Sequence, residues 1–414
     1  MGVLVRKNQG NMILTRIARL AVVGFLTSFA AAFIDTIWAV YMEDILGNMY
    51  WVGFFSAFLT IIAFFTFFFF IPFIEKRNKS KLYSLSLVLF FIAYLLFAIN
   101  RNPYIFAVLA VITTILSTLK ITSFGIIIRD KSRATELSRN EGVIYTMLNV
   151  AWVVGPLLAG LLSEFIGLNF IFVISAIFIF LALVSFKVSK IEDPNLRKKI
   201  DRNMFKNFKE FFRDKHRVLS YIIGGGIPFW WALIYLFVPM YMIERGLSIE
   251  WVGYFMFAVA IPMIFLTYIF AKLAGKIGFK KLFKIGFFIL FASALSCFFI
   301  SGFPVILGMN NIYILLGVLV LASIGAAMLE STLEAYFFDL VKGKEELHFY
   351  GPYNTNLEVS RLIAYSIPSL ILIFLPFKFI FLFFAAMMLS LFFVCFKIKE
   401  IIEKRHHPHN HYKN

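Results

Sequence analysis

Charged residues are scarce in this chain. Asp, Glu, Lys and Arg make up 15% of its 414 residues, whereas a soluble domain carries about 25%. Hydrophobic residues account for 61%, and 54 residues are Phe. Polar side chains are too few to cover the surface of such a chain, so lipid must be the outer solvent. This composition excludes a water-soluble globular protein.

Sites that depend on Cys, His or a phosphate-binding loop are also missing. Both Cys residues, Cys297 and Cys395, lie in apolar runs, which argues against a disulfide framework. No His lies in an apolar run, so neither a metal centre nor a Ser-His-Asp site is predicted there. There is no G-x-x-x-x-G-K-S/T loop, so ATP-driven transport by this chain is not expected. We therefore predict a protein that is not an enzyme and has no cofactor or metal.

Long apolar runs dominate the sequence. A membrane-spanning helix needs about 20 apolar residues, and helices are preferred because they satisfy every backbone polar group internally. The first run lacks a small-residue cleavage site, so it is predicted to be an anchor and not a signal peptide. The predicted fold class is an all-α membrane protein. Its twelve transmembrane helices are predicted at residues 20–42, 50–73, 81–99, 104–128, 142–163, 169–187, 219–242, 251–272, 282–301, 312–338, 354–375 and 378–396.

Positive charge is concentrated in the connections on one side of the predicted membrane. With the N-terminus inside, the inner segments carry a net charge of +21, the outer loops −2 and the spans −2, which accounts for the formal charge of +17. Lys and Arg favour cytoplasmic loops. We therefore predict a multi-pass protein of the cell (plasma) membrane with both termini in the cytoplasm. Because topology explains the basic charge, nucleic-acid binding is not expected.

The chain repeats itself at about half its length. The stretch YMEDILGNMYWVG at Tyr41–Gly53 recurs as YMIERGLSIEWVG at Tyr241–Gly253. Such a repeat indicates a duplicated unit, and secondary transporters are commonly built from duplicated bundles. We therefore expect two pseudo-symmetric six-helix bundles.

A basic stretch separates the two predicted bundles. We expect an N-terminal bundle at 1–186, a cytoplasmic linker at 187–218, a C-terminal bundle at 219–398 and a His-rich tail at 399–414. The tail is predicted to be solvated, although clustered His can also bind transition metals. The linker is predicted to be a simple tether, or to form a helix on the anionic inner leaflet. The helix is indicated by apolar residues at helical spacing, Met204, Phe205, Phe208, Phe211 and Phe212.

The loop after the second predicted span carries a family signature. Glu75 and Lys76 stand where the pattern G-x-x-x-D-R-x-G-R-R/K has its acid and its first basic residue, and Asn78 replaces a Gly. A second degenerate copy follows the eighth span and keeps the turn residue Gly278. With twelve spans in two repeated halves, the chain resembles the major facilitator superfamily. The resemblance implies the major facilitator fold, with Glu75 and Lys76 at a cytoplasmic gate and a turn that tolerates positive φ at Asn78 or Gly278. An ordinary basic loop is the alternative.

The fifth predicted span contains a Gly-Pro pattern. Gly142, Gly155, Pro156 and Gly160 keep the spacing of a helix-5 motif of many antiporters in the superfamily, with Ala in place of two Gly. This resemblance favours the drug:proton antiporter branch. The alternative is a general small-residue packing face with a bend at Pro156.

Six ionisable residues fall inside predicted spans. An ion at the membrane centre costs at least about 2.5–3.5 kcal/mol, so each residue indicates a function or a charged partner. In the superfamily, helices 1, 4, 7 and 10 line the central cavity, which implies that four of these charges face a substrate path. The six are Asp35, Lys120, Glu330, Glu334, Glu358 and Arg361.

Three of these charges are predicted to form the cavity site. Asp35 and Glu330 are the expected substrate- or proton-binding carboxylates, and Lys120 is expected to line the cavity and to meet Glu330. Glu334 shares a helical face with Glu330. Two carboxylates on one apolar face repel each other, which favours proton binding by one of them.

The remaining charges are predicted at the cytoplasmic gate. Glu358 and Arg361 are three residues apart on one helix, so they can neutralise each other. Glu334 is expected near the inner end of its helix and is an alternative partner for Arg361. A structural role is favoured for the pair of Glu358 and Arg361.

The seventh predicted span adds aromatic side chains. Gly224–Gly226 and Pro228 are expected to loosen this helix, and Trp230, Trp231 and Tyr235 are predicted cavity residues. A Trp near the midplane is unusual. Either it stacks on a flat or cationic substrate, or it packs against lipid or a helix. Successive side chains point about 100° apart, so at most one Trp is expected to face the cavity.

These observations predict a secondary active transporter that works by alternating access. The favoured function is proton-coupled export of amphipathic or cationic small molecules, with protons or another coupling ion and membrane lipid as further partners. Proton-coupled uptake of a small metabolite, including an anionic one, is the first alternative, with Lys120 as the counter-charge. A non-transporting membrane sensor or interaction protein is the second. We expect the chain to be a monomer.

Overall fold

Helices account for nearly all of the chain that the computed structural model describes, residues 2–75, 77–131, 137–189, 204–303, 305–306, 309–341 and 345–401. A short antiparallel hairpin, β1 (Val305–Ile306) and β2 (Met309–Asn310), was not predicted from the sequence. The helices are α1 (Gly2–Leu46), α2 (Met49–Glu75), α3 (Lys79–Ile99), α4 (Pro103–Lys131), α5 (Leu137–Ile166), α6 (Leu168–Val188), α7 (Met204–Phe211), α8 (Lys215–Gly224), α9 (Gly226–Ala232), α10 (Val238–Glu244), α11 (Ile249–Ile277), α12 (Phe279–Ile300), α13 (Asn311–Leu340), α14 (Glu345–Phe374) and α15 (Lys378–Val394).

Eleven segments of the described chain are long and apolar enough to cross a membrane. The seventh of these, Lys215–Glu244, comprises α8, α9 and α10. α15 adds a shorter apolar helix of 17 residues at the position of the twelfth predicted span. The order of the apolar helices therefore agrees with the expected twelve spans.

Several helices extend beyond the predicted spans. α1 begins at Gly2 and not near residue 20, and α14 begins at Glu345 and not near residue 354. Apolar composition marks the part of a helix that lies in lipid, whereas the backbone hydrogen bonds continue into polar sequence. Pro352 lies inside α14, which is possible because neighbouring groups in a helix bundle satisfy the backbone groups that a proline frees.

The seventh span is a broken helix. α8 ends at Gly224, and Gly225 leads directly into α9. Leu233–Phe237 form one π-helical turn before α10 begins. The predicted loosening of this span takes the form of these two interruptions. Single π-helical turns are frequent at functional sites, and Tyr235 lies in the centre of this one.

Packing divides the chain into two compact units. The first comprises Met1–Ile200 and Ile234–Phe257, and the second comprises Asp201–Leu233 and Ala258–Asn414. The division therefore falls inside the π-helical turn. The domain limits inferred from the sequence stay a prediction.

In the first unit, α1 packs against α5 and α6, and α3 packs against α4 and α6. Tyr41 of α1 is fully buried, and its ring centroid lies 4.5 Å from that of Phe172. Its hydroxyl donates to the carbonyl oxygen of Phe97 at 2.7 Å. Tyr241, the repeat equivalent of Tyr41, is also buried. Aromatic burial thus anchors both copies of the repeated stretch.

In the second unit, α12 packs against α13 and α15, and α14 packs against α7, α8 and α9. α7 forms as the helical spacing predicts, but the interpretation that its aromatic rings lie on the inner leaflet is wrong for Phe211. This ring has no exposed surface, because it fills a protein core. The core also contains Phe337, Val341, Phe349 and Tyr353.

The glycines at the start of α9 allow close packing in the second unit. A Cβ atom at Gly226 would overlap the ring of Phe287 and lie 3.1 Å from a methyl carbon of Leu391. Phe287 has no exposed surface, so its ring has little room to move. Gly226 therefore serves as a site of close approach.

We expect Gly226→Ala to lower the free energy of unfolding by about 1–3 kcal/mol, the usual effect of overpacking. Thermal unfolding in detergent measures the change. Gly142→Ala is the matched control, because a Cβ there meets no described atom within 4 Å and Ala favours a helix by about 0.5–1 kcal/mol over Gly. Equal destabilisation by both variants would contradict the packing role of Gly226.

Candidate functional site

Two opposite charges lie near each other in the first unit. Asp35 lies on α1 and is exposed, and Lys120 lies on α4 and is half-buried. The carboxylate of Asp35 interacts electrostatically with the ammonium group of Lys120 and with the hydroxyl of Tyr94 on α3. The ammonium group also lies 4.7 Å from the ring centroid of Phe90, within cation–π range. Lys120 therefore has an acidic partner and an aromatic partner in its own unit.

In the second unit, α9 and α13 bring an indole and a carboxylate together. The Nε1–H group of Trp231 donates to Oε2 of Glu330 at 3.1 Å. Glu330 is exposed, although it lies inside a helix that is long and apolar enough to cross a membrane. A carboxylate at that depth needs water, a cation or a proton to offset its charge. This position can therefore bind a cationic group or a proton.

A second carboxylate lies one turn farther along α13. Glu334 interacts electrostatically with Glu330, and its Oε1 accepts a hydrogen bond from the hydroxyl of Tyr350 at 2.8 Å. The ring of Tyr350 stacks on Phe338, with centroids 5.4 Å apart. Tyr350 of α14 thus holds the Glu334 carboxylate in place. Adjacent carboxylates repel each other when both are charged, so a proton on one of them relieves the repulsion.

Glu358 and Arg361 pair with each other on α14. The Nη1 atom of Arg361 lies 4.0 Å from Oε1 of Glu358, at the outer limit for an ion pair. Of the two expected partners of Arg361, the structure places Glu358 near the guanidinium and Glu334 against Tyr350. The structural role predicted for this pair stays a prediction.

Comparison with known proteins identifies the family. A sequence model of the Major Facilitator Superfamily matches residues 20–309, which is more than half of the chain. The chain belongs to the Major Facilitator Superfamily. It is accordingly a multi-pass membrane protein of the transporter type that this superfamily comprises.

One similar superfamily protein is an uncharacterised MFS-type transporter of Methanocaldococcus jannaschii, which is 25% identical over 191 residues. The alignment covers 45% of this chain and 49% of that transporter, so the chain spans about half the length of this curated relative.

Solved structures share the fold at low sequence identity. A bacterial homologue of the iron transporter ferroportin, in an inward-facing state, has a TM-score of 0.73 at 15% identity and covers 93% of this chain and 98% of its own. A variant of the nucleoside transporter NupG has a TM-score of 0.77 at 13% identity, with coverages of 92% and 99%. A POT family transporter in complex with 5-aminolevulinic acid has 0.74 at 12%, with 92% and 95%. The predicted major facilitator fold is confirmed.

The structure describes only part of the superfamily loop after α2. Glu75 is the last residue of α2, but its side chain and Lys76 lie outside the described residues, so their gate role stays a prediction. The expectation of positive φ at Asn78 is wrong, because Asn78 is extended at φ −69° and caps α3 by accepting the Lys81 amide at 2.7 Å. In the second copy, Gly278 has φ +81° as expected.

The helix-5 motif brings α5 close to two helices. A Cβ at Gly155 would lie 2.6 Å from the Cβ of Ala32 on α1, and one at Gly160 would lie 2.7 Å from the Cα of Gly253 on α11. Pro156 contributes its carbonyl oxygen, which a Cβ at Gly253 would meet at 2.6 Å. Gly142 has no such neighbour among the described atoms. Two of the three motif glycines therefore lie at close helix contacts.

The predicted aromatic residues of the seventh span have different surroundings. Trp230 is 1% exposed, so a substrate cannot reach it in this conformation, whereas Trp231 contacts Glu330. Tyr235 lies edge-to-face with Trp152 of α5, with centroids 6.4 Å apart. Trp152 and Tyr350 were not predicted from the sequence as site residues. The Gly-Pro spacing of α5 could have indicated Trp152, but Tyr350 fell in a predicted loop and carried no signal.

Proposed function

We propose that this member of the superfamily is a proton-coupled exporter of flat or amphipathic cations that works by alternating access. The observation that carries the proposal is the hydrogen bond from Trp231 to Glu330. An exposed carboxylate beside an indole can bind a cationic group through its charge, while the ring contacts the flat or apolar part of the molecule.

The balance of charge favours a cation over an anion. Lys120 already has the carboxylate of Asp35 as an electrostatic partner, which offsets part of its positive charge. Glu330 has an indole donor and the like-charged Glu334 as neighbours. The electrostatic potential at Glu330 is therefore negative. Binding of a cation or a proton there lowers the electrostatic energy of the site, whereas binding of an anion raises it.

Proton coupling follows from the same carboxylates. Glu330 and Glu334 lie four residues apart on α13, and both are exposed. When a cation leaves Glu330, a proton can take its place and relieve the repulsion by Glu334. A site that holds either a cation or a proton, but not both, exchanges one for the other. This competition is the physical basis of antiport.

The spacing of the helix-5 motif favours the drug:proton antiporter branch within this proposal. The close contacts at Gly155 and Gly160 fit this motif and a general packing face alike. The charge distribution supports a plasma-membrane orientation with both termini in the cytoplasm. The fold relatives are named for iron, nucleoside and other transport, so the choice of substrate here depends on this chain's own residues.

Uptake of an anionic metabolite is the second candidate, since Lys120 is a cation inside an apolar helix. The negative charge of Asp35 nearby would repel an anion held there. A non-transporting sensor is the third candidate. The pair of Glu358 and Arg361 gives this candidate no specific support.

The test is transport by the purified protein in liposomes with an acidic interior. We expect the flat cation ethidium to accumulate in exchange for protons, and accumulation to stop when a protonophore removes the gradient. The flat anion fluorescein is the matched probe; it is tested with the gradient reversed, so that protons flow inward, and it should not accumulate. Proton-coupled movement of fluorescein without ethidium would overturn the proposal in favour of anion transport. Absence of coupled flux for ethidium and a panel of other cations would also overturn it.

A further inference from the structure

α7 is attached to the second unit through one side of the helix. The ring of Phe211 lies 6.0 Å from that of Phe349 and 6.4 Å from that of Phe337, measured between centroids, and it is fully buried. The next residue, Phe212, is 45% exposed. Phe211 therefore lies in the protein core, whereas Phe212 packs edge-to-face on Phe211 and Tyr221 and leaves the rest of its ring open.

Arg217 fixes the turn that follows α7. Its guanidinium donates to the carbonyl oxygens of Glu210 at 2.8 Å and Phe211 at 3.3 Å, and it lies 4.2 Å from the ring centroid of Phe349. The side chain of Asp214 accepts the backbone N–H of Arg217 at 2.9 Å. These contacts satisfy carbonyl groups at the end of α7 and orient the helix on α14.

The outer side of this docked helix is basic. Residues 204–217 contain five basic and two acidic side chains, a net charge of +3. Lys206 lies 3.8 Å from Glu210, in a pair that is itself open to solvent. Phe212 is exposed, and so are four basic side chains within six residues of it in the sequence, those of Lys206, Lys209, Arg213 and Lys215.

We propose that this face, defined by Lys206, Lys209, Phe212, Arg213 and Lys215, binds the phosphate groups of anionic phospholipids at the membrane surface. The helical segment that is long and apolar enough to cross a membrane begins at Lys215, four residues after α7 ends at Phe211. A basic face that also exposes an aromatic ring matches the polar–apolar boundary of a lipid layer. Charge complementarity therefore favours anionic lipid over neutral lipid.

The attachment of α7 to the second unit favours lipid binding at this surface. An unattached amphipathic segment loses conformational entropy when it orders on a membrane, whereas α7 is already held by Phe211 and Arg217. Lipid that binds α7 contacts the second unit in its folded form and not in its unfolded form. Such binding therefore stabilises the folded state. This inference is independent of the proposed substrate and coupling ion.

The test compares two lipids added to the full-length protein in neutral detergent. We expect phosphatidylglycerol to raise the temperature of thermal unfolding, and zwitterionic phosphatidylcholine to raise it much less. Replacing Lys206, Lys209, Arg213 and Lys215 by Gln should raise the phosphatidylglycerol concentration for half of the effect by at least about tenfold. Inorganic phosphate at the same concentration should have no effect, and an equal effect would show a free-anion site instead of a lipid surface.

A second set of basic residues controls for total charge. Lys272, Lys276, Lys281 and Lys397 are also exposed, and their replacement by Gln removes the same charge. This variant should keep the response of the unchanged protein to phosphatidylglycerol. If both variants lose the response equally, overall charge and not the α7 face is responsible, and the proposal is wrong.

The neighbouring Phe residues provide a test that does not depend on charge. Phe212→Ala should weaken the response to phosphatidylglycerol and lower the unfolding temperature in detergent alone less than Phe211→Ala does. Phe211→Ala should lower that temperature, because it empties part of a core. A Phe212→Ala variant with an unchanged lipid response, together with unchanged binding by the four-Gln variant at α7, would overturn the proposal.

Discussion

Replacing Gly253 by Val should strongly destabilise the first unit. A Cβ at this position would lie 2.6 Å from the carbonyl oxygen of Pro156 and 2.8 Å from the Cα of Gly160. These are backbone atoms of a helix, so they cannot rotate away as the end of a side chain can. We expect the free energy of unfolding to fall by about 3 kcal/mol, the upper part of the range for overpacking. Thermal unfolding in detergent measures the change.

Gly317→Val is the matched control for this prediction. Gly317 lies within α13, and a Cβ there meets no described atom within 4 Å. The same substitution should therefore change stability by less than about 1 kcal/mol. Comparable losses at Gly253 and Gly317 would mean that valine in a helix, and not the contact with α5, causes the effect.

A double substitution tests whether Gly160 and Gly253 form one contact. Each residue lies within the space that a Cβ on the other would need. Gly160→Ala should push the two helices apart. In that variant, Gly253→Ala should therefore cause a smaller further loss of stability. We expect the double variant to lose less stability than the sum of the single variants, with a coupling of at least about 0.5 kcal/mol. Strict additivity would show two separate contacts.

Replacing Glu330 by Gln should abolish proton-coupled transport in liposomes. Gln keeps the size of the side chain and can still accept the Trp231 hydrogen bond, but it has no charge and cannot release a proton. No side chain at this position can then bind and release the coupled proton. Gradient-driven accumulation of ethidium should therefore fall to the level of protein-free liposomes. Dye-detected proton movement during ethidium transport measures the effect.

Glu164→Gln is the control variant, because Glu164 is an exposed carboxylate near the end of α5. It should transport as the unchanged protein does. The proposal predicts that Glu330→Gln also binds ethidium more weakly, since the negative charge of the site is lost. Full proton coupling in the Glu330→Gln variant would assign the proton to another carboxylate and remove the main support for the proposed mechanism.

The sequence predicted the fold because lipid imposes a simple rule. Apolar runs such as those that became α6 and α12 must form helices when they cross a membrane, so their existence could be read directly. The same rule says little about where a helix ends. α14 begins at Glu345 in sequence that is polar, and this hid Tyr350 in a predicted loop.

The candidate site was only partly accessible to sequence reasoning. The cost of charge in an apolar helix identified Asp35, Lys120 and Glu330 without any structure. Their neighbours could not be identified, because a helix spacing gives contacts within one helix and not between helices. The hydrogen bond from Trp231 to Glu330 joins residues 99 positions apart. Of the two adjacent Trp residues, only the packing could show that Trp230 is buried.

The sequence by itself determined that this chain crosses a membrane, that its halves repeat and that a few charges lie at membrane depth. Composition and periodicity are sufficient for these conclusions, because burial in lipid acts on each segment separately. Only the tertiary structure decided which charges have partners, which glycines let helices touch and which face of α7 remains open. Those properties depend on atoms from distant segments, and their positions are set by packing that no single segment encodes.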